Sequence, residues 1–95
     1  MNEPVELVLP GALRDVAGGA RRLQITPGPT TVAALLDELA RTHPALERRI
    51  RDETGALRRY VNVFVDGDDI RSLAGVHTVL RPGAEVHVLP SVAGG

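Results

Sequence analysis

The chain contains no cysteine, no lysine and no tryptophan, and Tyr60 and Phe64 are its two aromatic residues. Without cysteine there are no disulfides, thiolate metal ligands, thiol nucleophiles or side-chain persulfides. Two aromatics are too few for a platform on which bases stack. A formal net charge of −1 gives no electrostatic pull toward nucleic acid or an anionic membrane. Apolar runs are short, and none approaches the roughly 20 residues of a spanning helix. Met1-Asn2-Glu3-Pro4 lacks the basic segment and apolar run of a secretory signal. These absences lead to the expectation of a cytoplasmic protein with neither a nucleic-acid nor a membrane partner. All eleven basic residues are arginine. GC-rich coding would give such a bias, and a chain with an activated C-terminus would also gain from having no side-chain amine to attack it; the two readings are compatible.

What is present fits one small domain, since 95 residues support a single core. Val5-Glu6-Leu7-Val8-Leu9, bounded by Pro4 and Pro10-Gly11, reads as a strand. Residues 11–20 carry turn residues and read as a loop. Leu23-Gln24-Ile25 alternates as a second strand, so the two form an antiparallel hairpin with a long connection. After Pro27-Gly28-Pro29, Thr30 or Thr31 caps a helix whose apolar stripe is Val32, Leu35, Leu36, Leu39 and Ala40. That helix stops at His43, because Pro44 disfavours helical geometry in the residue before it. Pro44 opens a second short helix buried along Leu46 and Ile50, with Arg48, Arg49 and Arg51 read as a solvated face.

Residues 51–56 read as a loop turning at Gly55. A strand follows from Tyr60 to Val65, ended by a tight Asp66-Gly67 turn. Ile70 and Leu73 are expected to plug the core from a connecting segment. Pro82-Gly83 signals a type II turn into the last strand, Ala84 to Leu89. The domain thus occupies residues 1–90, and residues 91–95 form a flexible diglycine tail. One main helix on a sheet of four to five strands is a two-layer α+β domain.

The ending itself is informative. Gly94 and Gly95 offer a carboxylate with almost no steric bulk around it, able to enter a slot too narrow for any side chain. Chance alone puts two glycines at such a position in about one chain in two hundred, so the ending gains meaning from the domain in front of it.

That domain resembles the ubiquitin-like β-grasp sulfur carriers of the ThiS and MoaD type. The likeness rests on Val65-Asp66-Gly67-Asp68-Asp69-Ile70, on Leu80-Arg81-Pro82-Gly83-Ala84-Glu85-Val86 and on Leu89-Pro90-Ser91-Val92-Ala93-Gly94-Gly95. Among the branches of the family the chain looks most like the actinobacterial carriers of cysteine biosynthesis. The resemblance implies a mixed β-grasp sheet and a carrier, not a catalyst. An E1-like enzyme would bind the tail (Val92, Ala93 and Gly94 entering its active site) with MgATP and adenylate Gly95. A sulfur nucleophile would displace AMP to leave a thiocarboxylate, and a sulfur-accepting biosynthetic enzyme would take the sulfur. No cofactor would be bound by the carrier itself. The small subunit of molybdopterin synthase, which would use Gly95 as the carrier does, and a ubiquitin-like protein modifier, which would join targets through an isopeptide bond, are the alternatives.

Other constellations carry less. His43, His77 and His87 lack metal-ligand spacing, and no metal site is expected. Asp66, Asp68 and Asp69 lack the remaining ligands of a calcium loop and read as turn chemistry. If Val61, Val63, Val65, Val86 and Val88 face the helix, the pleat puts Tyr60, Phe64, His87 and Leu89 on the opposite face. The family resemblance makes that face, close to the tail, the surface that docks partners. A one-residue shift of register would instead bury Phe64.

Overall fold

The computed structural model describes residues 3–90. Five strands form one mixed sheet in the order β2-β1-β5-β3-β4. β1 (Val5–Val8) and β2 (Arg22–Ile25) are the antiparallel hairpin, with Val5 opposite Ile25 and Val8 opposite Arg22. β5 (Glu85–Pro90) lies parallel to β1 on one side and antiparallel to β3 (Val61–Val65) on the other. β4 (Asp68–Asp69) is a two-residue strand that closes the far edge.

The β3–β4 turn has Asp66 and Gly67 both at positive φ, 49° and 92°. Two left-handed residues in succession match the twist of a tight hairpin, and glycine pays no Cβ penalty for the second. Asp66 also fixes the start of β5: its backbone N–H donates to Glu85 O, and its Oδ1 accepts from Glu85 N–H, each at 2.9 Å.

α2 (Val32–Thr42) begins where Thr31 Oγ1 accepts the Ala34 amide at 3.1 Å, which satisfies one of the orphan donors of the first turn. It ends at His43, and α3 (Pro44–Ile50) starts directly at the proline. Val32, Leu35, Leu36 and Leu39 of α2 and Leu46 and Ile50 of α3 pack on Val5, Leu7, Val63, Val65, Val86 and Val88 of the sheet. This is the β-grasp arrangement: one face of the sheet wraps the main helix and the other stays open.

Four expectations from the sequence are corrected. Residues 11–20 are not simply a loop. Gly11–Arg14 form a short helix, α1, which runs into a 3₁₀ turn, Asp15–Ala17, because Leu13 and Ala17 each need a face to bury against the core. Ala40 is exposed, since the buried stripe of α2 is narrower than its apolar composition. Leu73 is 48% exposed, and Ile70 alone of that pair is core. A 3₁₀ turn over Ile70–Ser72 points Ile70 inward and leaves Leu73 outside it. Arg51 does not belong to a solvated face: its side chain is 13% exposed and bridges Glu47 at 2.8 Å and Asp37 at 3.0 Å, tying α3 to α2.

The segment into β5 is held by backbone and by one buried hydroxyl. Val32 N–H donates to Thr78 O, and Leu80 N–H to Thr30 O. Thr78 Oγ1 donates to Gly75 O at 2.7 Å and accepts from Ala74 N–H at 3.1 Å. Ala84 N–H donates to Arg81 O across Pro82-Gly83, with Gly83 at φ 79°, in keeping with the turn read from the sequence.

Candidate functional site: the open sheet face

The pleat decides which side chains reach the open face. With Val63, Val65, Val86 and Val88 buried against the helices, the alternate residues of β3 and β5 project the other way. Register then fixes who meets whom. Phe64 lies opposite His87 and Asn62 opposite Leu89, while on the other side of β5 Val8 lies opposite His87 and Glu6 opposite Glu85.

The face has two halves. The half toward β2 is ionic. Arg22 reaches Glu6 at 2.5 Å and Glu85 at 3.2 Å, Gln24 Nε2 donates to Glu6 Oε1 at 3.2 Å, and His87 Nε2–H donates to Glu85 Oε1 at 2.6 Å. The Arg22 guanidinium, then the Gln24 amide, hold the Glu6 carboxyl below its ordinary range. His87 first, and Arg22 second, do the same for Glu85. The charges on β1, β2 and β5 are thus largely used within the sheet, which leaves little free charge to offer a partner there.

The half toward β3 is apolar. Phe64, Gly67, His87 and Leu89 line a shallow depression of about 180 Å³, and Leu89 is 43% exposed. An exposed large apolar side chain beside an aromatic ring, on a face otherwise tied up in ion pairs, is the kind of patch that proteins cover with a partner. The turn glycine Gly67 adds no side chain to the rim.

Of the residues expected here from the sequence, Phe64, His87 and Leu89 come together. Tyr60 is 51% exposed in the turn before β3 and does not line the depression. Val92, Ala93, Gly94 and Gly95 lie outside the described residues. The last paired residue, Pro90, is opposite Val61, so the described chain ends at the apolar half of the face. Sequence reasoning missed Glu6, Val8, Arg22 and Gln24. Alternation with Val5, Leu7 and Leu9 put Glu6 and Val8 on the open side, and alternation with Leu23 and Ile25 did the same for Arg22 and Gln24, but nothing local said that β1 runs beside β5. Among the described residues no helix is long and apolar enough to cross a membrane. Nor do three or more of their histidine or acidic side chains converge as metal ligands.

A β-grasp sheet whose last strand leads from the open face into a Gly-Gly sequence defines a ubiquitin-like protein. The chain belongs to the ThiS family, whose model matches residues 7–95. It is 31% identical over 93 residues to the sulfur carrier protein CysO of Mycobacterium tuberculosis, covering 96% of this chain and 98% of that one. It also superimposes on the CysO component of the Amycolatopsis orientalis BexX/CysO complex, with a TM-score of 0.84, 30% identity, and 96% and 99% of the two chains covered. The small archaeal modifier protein 1 of Methanosarcina acetivorans superimposes with a TM-score of 0.85 at 29% identity, over 100% of this chain and 99% of the other.

Proposed function

We propose that the chain is a sulfur carrier, a co-substrate rather than a catalyst, which holds sulfur as a thiocarboxylate on Gly95. The observation that carries this reading is the family match, which runs through residue 95 of a chain with no cysteine. A sulfur carrier without thiols needs another atom to hold its cargo, and the carboxylate of a sterically bare diglycine supplies one. A relative of nearly equal length named as a sulfur carrier supports the same reading.

In this mechanism an E1-like partner binds MgATP and the tail, with Val92, Ala93 and Gly94 in its slot. A carboxylate oxygen of Gly95 attacks the α-phosphorus, and pyrophosphate leaves. Sulfide, or the terminal sulfur of a persulfide on another protein, then attacks the acyl carbon, and AMP leaves with the oxygen that bridged it. With a persulfide donor, a second thiol reduces the resulting acyl disulfide to the thiocarboxylate. A sulfur-accepting biosynthetic enzyme takes the cargo. The carrier's own contribution is recognition: Leu89, Phe64 and His87 offer an apolar seat close to the chain's end. The use of MgATP fits a cytoplasmic site of action.

The test is intact-mass measurement after incubation with MgATP, an E1-like enzyme and sulfide. The chain should gain the difference between sulfur and oxygen, and deletion of Gly95 should abolish the gain while the melting curve stays unchanged. A gain that persists in the truncated chain would sink the proposal. The likeness to an archaeal modifier protein favours one second reading, attachment of Gly95 to amines of other proteins. Conjugates that vanish on deletion of Gly95 would support it.

A further inference from the structure

Of the eleven arginines, four are in salt bridges among the described residues and seven are not; of those seven, Arg14, Arg21 and Arg81 are scattered and the other four lie together. Arg22, Arg41, Arg51 and Arg71 are each held by carboxylates of this chain. Arg48, Arg49, Arg58 and Arg59 are exposed, and among the described residues none of them makes a salt bridge. These four are also neighbours in space. Arg58 N–H donates to Ile50 O at 2.9 Å, and Arg58 Nε donates to Arg48 O at 2.7 Å, which fastens the segment before β3 to the end of α3. Val61 N–H donates to Arg58 O, so Arg59 sits in the tight turn that opens β3.

Position gives the cluster its meaning. Val61, at the end of that turn, is paired with Pro90, the last residue of β5. The segment carrying Arg58 and Arg59, with the end of α3 fastened to it, therefore stands at the end of the sheet where the described chain leads toward Gly95. Residues 47–60 hold five arginines and three carboxylates, although the whole chain has a net charge of −1, so the rest of the molecule is acidic. Of those three carboxylates, Glu47 is spent on Arg51, and Asp52 accepts from Thr54 and Ala56 within its own loop while also feeling the charge of Arg58 without a salt bridge to it. Glu53 lines the same groove as Arg48 and Arg58 and offsets one of them. Complementing the helix end explains Arg48 and Arg49 in part, and the carbonyl contact occupies one nitrogen of Arg58. Neither accounts for Arg59 or for the terminal nitrogens of the other three.

We propose that Arg48, Arg49, Arg58 and Arg59 form a second docking surface, which engages a carboxylate-rich protein surface around the mouth of the slot that receives the chain's end. The inference rests on the sulfur-carrier reading for its partner, but not for the site itself. The apolar seat of Leu89 and Phe64 supplies contact, while the basic cluster orients the acidic remainder of the molecule away from the partner and speeds encounter. Arginine suits the role because its planar fork binds carboxylates bidentately.

The experiment has two arms. In the first, a hexaglutamate peptide is titrated into the whole protein at low ionic strength, and backbone amide and arginine Nε–H resonances are followed. Shifts should concentrate on residues 48–60, fade as salt is raised, and disappear in the Arg48→Ala/Arg59→Ala variant. Even shifts at Arg14, Arg21 and Arg81 would overturn the proposal. So would tighter binding of a mixed-sequence DNA duplex than of the peptide at that cluster. In the second arm, Arg58→Glu/Arg59→Glu is compared in the thiocarboxylate-loading assay with a charge-matched control, Arg14→Glu/Arg81→Glu. The first should raise KM about tenfold with kcat unchanged, and the control should leave both near wild type. Equal KM values refute the proposal. Where the first double variant melts early, Arg59→Glu alone keeps the Arg58 contact and replaces it. If the wild-type chain is not loaded at all, the carrier reading fails and the peptide arm still decides the site.

Discussion

Leu89 and Val88 are adjacent in sequence and lie on opposite faces of β5, so paired substitutions separate docking from folding. Val88 is 1% exposed and Leu89 is 43% exposed. Val88→Ala removes two methyl groups from a closed core. At about 0.8 kcal/mol per methyl group plus the cavity left behind, the cost is about 2–3 kcal/mol. Leu89 buries little more than half of its surface, so Leu89→Asp forfeits about 1–2 kcal/mol of the roughly 1.5–3 kcal/mol that full burial of leucine supplies. For a domain of this size 1 kcal/mol moves Tm by about 4–8 °C. Val88→Ala should therefore melt about 10–20 °C low and Leu89→Asp about 5–10 °C low, read by circular dichroism. Loading by an E1-like enzyme should rank them the other way. An unpaired aspartate in a desolvated contact costs about 3 kcal/mol, on the order of a hundredfold in kcat/KM, while folded Val88→Ala should load normally. If Leu89→Asp unfolds, Leu89 is part of the core; if it folds and loads like wild type, the apolar seat docks nothing.

Gly28→Ala should destabilise the fold, because a Cβ there would lie 2.5 Å from Glu3 O and 3.2 Å from Val5 Cγ2, and backbone does not yield as a flexible side chain does; a melting temperature equal to wild type would contradict it. Glu6 and Glu85 have lowered folded-state pKa values, so the stability from the Arg22 cluster is present above the ordinary glutamate range and is lost as pH falls through the lowered values. Carboxyl-carbon NMR shifts should titrate below that range in the folded protein, and midpoints at or above it would refute the network. The lysine-free chain, once adenylated and left without sulfide, should hydrolyse or react with added thiols and form no lysine-linked ladder with itself, since protonated arginine is a poor nucleophile. Cross-links mapped to its own arginine or serine side chains in a denaturing gel would overturn that expectation.

The open face was legible in β3 and β5 because a period of two is unambiguous where valine alternates, as in Val61-Asn62-Val63-Phe64-Val65. The caps and stops around α2 were legible for the same kind of reason, since Thr31 and Pro44 act through bonds to residues within a few positions. The short α1 was hidden, because four residues are too few for a helical period to declare itself and their order comes from burying Leu13 and Ala17. The type of residue at Arg51 was visible, but not its burial between Asp37 and Glu47, which depends on how α3 folds back on α2. By itself, then, the sequence determined the strand parities and the limits of α2 and α3, set by contacts over a few residues, and the diglycine on which the proposed chemistry rests. Tertiary structure decided the rest. Placing β1 parallel to β5 gathered Glu6, Arg22 and Glu85, and pairing Val61 with Pro90 set the segment carrying Arg58 and Arg59 beside the end of β5. Such pairings lie between residues far apart in the chain and leave no mark on the local pattern of either partner.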